Sequence, residues 1–213
     1  MKKILIATTN PGKVHSAKKI LAQLGWEGLS FEDLNLNLLE PDETKATAEE
    51  IAVEKAIGYA KQVHDLPLLA RDDTIKLIGV DEEDDPKNRN KEFIAQRMGE
   101  YTVENGEKVF SDIAKKYGGE VPFVFDYGYA VAWWDDGGLK TMSGLAQKEA
   151  KLVAKPSPQK VPGFCFASVC QVEVNGEWKY DSELIEDESF SVYWAGQKRV
   201  ISELLNKMEG NDE

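Results

Sequence analysis

The segment Thr8-Thr9-Asn10-Pro11-Gly12-Lys13 joins an apolar run, Ile4 to Ala7, directly to an apolar periodicity of helical type that begins near Val14. A strand, a tight polar turn and a helix start bring unpaired backbone N–H groups to one spot, where they favour an anion, and Lys13 adds a full positive charge. Asn10 is of the type that caps a helix and Pro11 suits a first helical position, so the same residues also read as an ordinary helix start. The glycine spacing fits neither the P-loop nor the dinucleotide fingerprint. A phosphate-bearing ligand at this turn, met by its backbone N–H groups and by Lys13, would therefore belong to neither of those classes.

Carboxylates follow. Leu68-Leu69-Ala70 runs into Arg71-Asp72-Asp73-Thr74, which sets two aspartates at the carboxyl end of a predicted strand, where open α/β sheets hold ligands. Adjacent side chains on an extended backbone face different ways, so one aspartate can hold a metal while the other takes a proton or orients water. A plainer reading is an exposed loop with Arg71 as the partner. Glu50 stands on the first turn of a predicted helix and has two readings: it can face the same site, or it can complete the capping box Thr47-Ala48-Glu49-Glu50, which the pattern by itself favours. Magnesium takes oxygen ligands from one or two carboxylates plus substrate phosphates, so a phosphate cradle, three carboxylates and several lysines suit metal-assisted hydrolysis of a phosphoanhydride. His15 and His64 have no neighbour at metal-ligand spacing.

The elements that must position these groups are legible in outline. Val14, Ala17, Leu21 and Leu24 form a helical stripe that stops at Gly25, and a second helix is predicted from Ala48 to about His64. Leu66 to Ala70 reads as a short buried strand, Asp81 to Asp85 as a solvated acidic loop, and Lys91 to Met98 and Val109 to Tyr117 as helices. Phe123 to Trp134 and Leu139 to Leu145 flank a turn at Asp135 to Gly138, and Phe164 to Val174 leads through Asn175-Gly176 into Glu177 to Tyr180. Trp194, Ile201, Leu204, Leu205 and Met208 mark a last helix before a frayed tail at Glu209 to Glu213. The expectation is one α/β domain over residues 1–208, with an elongated mixed sheet, flanking helices and a β-rich second lobe across a cleft.

Of the 213 residues 42% are hydrophobic, enough for a proper core, and the net charge is −12. That charge argues against nucleic acid and anionic membrane as partners, so an anionic ligand needs a local basic pocket or a cation. The short apolar stretch after Met1-Lys2-Lys3 is no signal sequence, and no run approaches membrane-spanning length, which leads to the expectation of a cytoplasmic protein. Cys165 and Cys170 read as buried thiols of a reducing compartment.

At this point the chain resembles the inosine triphosphate pyrophosphatase, or Ham1-like, family. Ile6 to Lys13 is similar to the family's opening strand and Thr/Ser-x-Asn-x-x-Lys loop. Glu50-Ile51-Ala52-Val53-Glu54-Lys55-Ala56 resembles its Glu-Asn-Ala-x-x-Lys-Ala helix with Ile51 in place of asparagine, and Asp72-Asp73-Thr74 its Asp/Glu-Asp-Ser/Thr motif. The resemblance implies a homodimer that hydrolyses a nucleoside triphosphate with magnesium to a monophosphate and pyrophosphate. Thr8, Asn10 and Lys13 would hold phosphate, Glu50, Asp72 and Asp73 the metal, and Asp73 would activate water. Lys91, with Arg89 behind it, matches loosely a basic position of the family. The second half departs: Gly163-Phe164-Cys165-Phe166-Ala167-Ser168 lacks the family's Asp-Pro, and Gly196-Gln197-Lys198-Arg199 stands near where Ser-His-Arg is expected. Phe164 is thus a candidate to stack on a base, and Lys198 and Arg199 to touch the ligand. Inosine or xanthosine triphosphate is the implied substrate. The rivals are another modified triphosphate, as in the Maf-like proteins, a nucleotide-binding protein without turnover, and a structural interaction domain.

Overall fold

The computed structural model describes residues 1–87 and 90–210, so Arg89 and the tail beyond Gly210 lie outside the described residues. The elements run β1 (Lys2–Ile6), α1 (Pro11–Gln23), β2 (Trp26–Leu29), α2 (Ala48–Ala60), β3 (Leu68–Leu77), α3 (Asn90–Met98), α4 (Val103–Lys116), β4 (Glu120–Asp135), β5 (Gly138–Val153), β6 (Cys170–Val174), β7 (Glu177–Tyr180), α5 (Glu186–Ser189) and α6 (Ala195–Met208). The described strands form one mixed sheet in the order β2-β1-β3-β4-β5-β6-β7. β1 pairs in parallel with β2 and β3, whereas β6 pairs antiparallel with β5 and β7.

The chain divides into two compact units. The first comprises Met1–Asp73, Tyr127–Ala146 and Trp194–Glu213, and the second Thr74–Asp126 and Gln147–Tyr193. In the first unit Ile4, Leu5 and Ile6 are all buried, the unbroken apolar pattern of a strand covered on both faces. Ala52, Ala56 and Ala60 of α2 pack with Leu68 and Ala70 of β3 and with Ala130 and Ala132 of β4. Small residues allow a close approach here: a Cβ on Gly128 would lie 2.2 Å from the backbone carbonyl of Ala48, so the first turn of α2 rests on the β4 backbone itself. In the second unit Phe93 and Ile94 of α3 and Phe110 of α4 pack with Phe123, Leu152 and Val172.

Several boundaries differ from the sequence reading. β3 does not stop at Ala70 but continues to Leu77, with Thr74, Ile75 and Leu77 buried, so the two aspartates lie within a strand and not in a loop beyond it. α4 begins at Val103 under a Thr102 cap whose hydroxyl oxygen accepts from the Asn105 N–H. β6 starts only at Cys170, because Phe164 to Val169 is taken up by turns, which leaves Phe164 58% exposed. Cys165 and Cys170 are free and buried, and burial pushes the Cys165 thiol up to about 11. A single π-type turn, Phe190–Trp194, precedes α6. Among the described residues no helix is long and apolar enough to cross a membrane.

Candidate functional site

Asn10 caps α1 as its residue type predicts: its Oδ1 accepts from the N–H groups of Gly12 (2.9 Å) and Lys13 (3.2 Å), and Pro11 occupies the first position. The Thr8 hydroxyl in turn accepts from the Asn10 N–H at 3.2 Å. Two donors of the expected cradle are thus engaged by Asn10 itself. The positive end of the helix remains, and the Lys13 side chain, 18% exposed, carries the full charge.

That charge is directed at β3. Lys13 Nζ lies 3.3 Å from Asp72 Oδ1 and 3.4 Å from Asp73 Oδ2. A second lysine, Lys55 on α2, donates to the same Asp72 Oδ1 at 2.8 Å and meets Glu43 at 2.8 Å. Burial opposes the Lys55 charge, yet Asp72 and Glu43 together outweigh it and raise the pKa of the ammonium. Two cations from two helices therefore converge on one carboxylate oxygen.

Asp73 is held differently. On a strand, residues two apart share a face, and Arg71 accordingly grips Asp73 with both Nε (2.6 Å) and a terminal nitrogen (3.0 Å). The other terminal nitrogen donates to the Ser16 hydroxyl of α1 at 3.2 Å, and the guanidinium lies over the rings of Tyr127 (5.1 Å) and Tyr129 (5.9 Å). Burial works against ionisation of Asp73, but Arg71 and then Lys13 overcome it, and its pKa sits below the usual carboxylate range. The plainer sequence reading, in which Arg71 is the partner, describes Asp73.

Glu50 is exposed, and the Thr47 hydroxyl both donates to its carboxylate (2.8 Å) and accepts from its N–H (3.3 Å). Thr47 caps α2 as the alternative has it, but the Glu50 carboxylate meets the Thr47 hydroxyl and not, as in a capping box, the backbone N–H. Among the described residues, the group of three carboxylates whose oxygens lie within 4.8 Å of one another is Asp81, Glu83 and Asp84, so Glu50, Asp72 and Asp73 are not gathered that closely. The acidic loop is itself only partly solvated, since Asp84 is buried against Lys116 (2.6 Å) and Tyr117 (2.8 Å).

Glu43, which the sequence reading missed, stands in a strap between β2 and α2. Glu54 of α2 accepts from the Thr44 and Lys45 N–H groups, and Gln62, in the turn after α2, exchanges two hydrogen bonds with Leu39, so the strap is tied down on either side of Glu43. Nothing periodic marks such a segment; a carboxylate shortly before a capped helix was the available signal.

The other candidates lie elsewhere in the chain. Lys91 on α3 approaches the Tyr101 ring at 5.8 Å, and the exposed Phe164 comes next in sequence after Gly163, one of the residues lining a cavity of about 350 Å³ with Val103, Glu107 and Lys160; both belong to the second unit. Lys198 and Arg199 stand on α6 in the first unit, where Arg199 is exposed and faces Glu203 at 3.9 Å.

The sequence pattern of the Ham1 family matches residues 4–82, a stretch that contains Thr8, Asn10, Lys13, Glu43, Lys55, Asp72 and Asp73. Over the whole chain, the Ham1 protein of Staphylococcus aureus superposes with a TM-score of 0.69, 18% identity and coverage of 99% of this chain and 100% of its own. In fold the chain is similar to Ham1 proteins. A second Ham1 protein, from Coxiella burnetii, gives a TM-score of 0.69 at 17% identity over 97% of this chain and all of its own. Curated relatives match in sequence over shorter stretches. The dITP/XTP pyrophosphatase of Rhizobium meliloti is 41% identical over 71 residues, 33% of this chain and 32% of that protein. The enzyme of the same name from Bacillus subtilis is 34% identical over 115 residues, 53% and 54% of the two chains. The chain thus spans about a third to about half of the length of these curated relatives. The Ham1-like stretch holds the lysine and carboxylate network entire, whereas Lys91, Phe164, Lys198 and Arg199 fall beyond it.

Proposed function

We propose that the protein is a magnesium-dependent pyrophosphohydrolase of nucleoside triphosphates, acting on deaminated purine nucleotides such as dITP and XTP and releasing a monophosphate and pyrophosphate. The observation that carries this is the convergence of Lys13 and Lys55 on Asp72 Oδ1. Both ammonium groups are within ion-pair distance of a single carboxylate, so a polyphosphate can compete for them while the carboxylate stays beside it. The names of the curated relatives support the substrate class.

Asp72 is the group best suited to take the proton of an attacking water, because Asp73 has both oxygens committed to Arg71. Lys13 and Lys55 would hold phosphate oxygens and stabilise charge on the departing pyrophosphate. Thr8 and Asn10 shape the start of α1 and keep Lys13 in place. Asp72 and Glu43 supply hard carboxylate oxygens, and one ammonium already lies 2.8 Å from each, which fits them to share a magnesium ion. Bound there, magnesium supplies Lewis-acid stabilisation of the phosphate oxygens. Base stacking by Phe164 and ligand contacts by Lys91, Lys198 and Arg199 rest on the resemblance alone. A homodimer, supported by the resemblance alone, and a cytoplasmic setting, supported by the apolar pattern of the sequence, belong to the same proposal, and the net charge of −12 supports a small anionic ligand over nucleic acid.

The test is incubation of the purified protein with magnesium and a panel of standard and deaminated triphosphates, with monophosphate and pyrophosphate both measured. Pyrophosphate in equal yield to the monophosphate supports the reading, and release of inorganic phosphate or of neither contradicts it.

A further inference from the structure

Lys13 is anchored at both of its ends, at the head by Asp72 and Asp73 and at the backbone by Ser16, and Arg71 stands behind the Asp73 and Ser16 anchors. At the head, Asp73 Oδ2 lies 3.4 Å from Lys13 Nζ, while Arg71 holds both oxygens of that aspartate. At the backbone, the Ser16 hydroxyl donates to the Lys13 carbonyl at 3.1 Å and accepts from Arg71 at 3.2 Å. Arg71, Asp73, Lys13 and Ser16 therefore close a ring that ties β3 to the first turns of α1. The guanidinium is itself fixed from β4, between the rings of Tyr127 and Tyr129, and the Tyr129 hydroxyl is bonded to Gln197 of α6 at 2.5 Å. Ser16 is 7% exposed and the Arg71 side chain 15%, so water offers little substitute for these bonds.

We infer that Arg71 is a positioning residue for Lys13: through Asp73 it sets where the ammonium sits, and through Ser16 it holds the backbone that carries it. The inference rests on the reading of Lys13 as a phosphate holder. A buried ion pair with a purely structural part would stabilise the fold without affecting the grip on phosphate, and the two roles separate in binding measurements. Arginine is required for it, since lysine keeps the charge but cannot grip two carboxylate oxygens and a hydroxyl at once.

The experiment is titration calorimetry of the purified full chain with inorganic tripolyphosphate, without divalent metal, for the parent, Lys13→Ala, Arg71→Gln, Arg71→Lys and Ser16→Ala, with circular dichroism confirming the fold. Arg71→Gln is expected to weaken binding about tenfold, approaching Lys13→Ala, with Arg71→Lys between it and the parent. Ser16→Ala, which leaves the Arg71–Asp73 pair in place, is expected to weaken binding about threefold. A folded Arg71→Gln that binds as the parent does overturns the inference, and if that variant does not fold, an unchanged Ser16→Ala overturns it. When the parent fails to bind, or Lys13→Ala binds equally well, the phosphate reading of the site has failed first.

Discussion

Asp72 and Asp73 are neighbours in sequence with opposite assignments, and the cause is the two-residue period of a strand. Asp73 shares a face with Arg71 and is neutralised by it, whereas Asp72 points to the other face and meets Lys55. The difference yields a direct expectation for the two amides. Asp72→Asn should lower the turnover number by roughly 10²–10⁴-fold, the range for a lost general base, as read from pyrophosphate release. Asp73→Asn should act mainly on KM by loosening Lys13, and a turnover loss equal to that of Asp72→Asn would contradict the division of roles. Glu43→Gln should raise the magnesium concentration needed for half-maximal rate, because it removes one hard anionic ligand from the pair that faces Lys55. Thr8, Asn10, Lys13 and the aspartates were legible in the sequence because short motifs announced them. Glu43 was not, since its position depends on a strap fixed by Glu54 and Gln62 and on no local pattern.

The starts of α1 and α2 were read closely, and for a physical reason, since capping is local chemistry, whereas the Thr102 cap of α4 was missed and that helix was read only from Val109. Asn10 and Thr47 do what their types predict, and Pro11 and Gly25 bracket α1 as expected, with Gly25 at φ +78°. Asn10→Ala should therefore cost about 1 kcal/mol of stability by urea unfolding with an unchanged slope, and a loss of phosphate affinity beyond that would come through Lys13. Strand ends were harder to read. The charged run Arg71-Asp72-Asp73 resembles a loop, and β3 carries it because its charges are paired, after which Thr74, Ile75 and Leu77 resume burial. The reverse holds at Phe164 to Val169, an apolar run that reads as strand yet forms turns. The close approach of α2 to β4 gives a further expectation: Gly128→Ala forces a methyl against the Ala48 carbonyl and should cost about 1–3 kcal/mol or more, with α2, Lys55 and activity displaced together. Parent-like stability and activity in that variant would contradict the packing.

The molecule as a whole has a mixed sheet with flanking helices, as the order of strand and helix signals led one to expect, and its residues divide into two compact units. Its acidity has a consequence for stability. Asp73 in the first unit and Asp84 and Glu107 in the second are all disfavoured as anions by burial, yet Arg71, Lys116 and Lys160 respectively bring each pKa below its ordinary value. A carboxylate with a depressed folded pKa stabilises the fold above its unfolded pKa, and that contribution is lost as pH falls through the folded value. The melting temperature should then hold steady from neutral pH to about 5 and fall steeply below about 4, the ordinary carboxylate range, and a flat profile down to pH 3 would contradict it. On the proposed function, the departures of the second half from the Ham1-like pattern would bear on which base is accepted, and less on the chemistry of the phosphates. The most direct test of the account compares the parent, Asp72→Asn and Asp73→Asn on dITP and XTP with magnesium, monitoring pyrophosphate. The account predicts equimolar monophosphate and pyrophosphate from the parent, near-abolition in Asp72→Asn and a residual rate in Asp73→Asn, whereas no cleavage by the parent, or undiminished cleavage by Asp72→Asn, would contradict it.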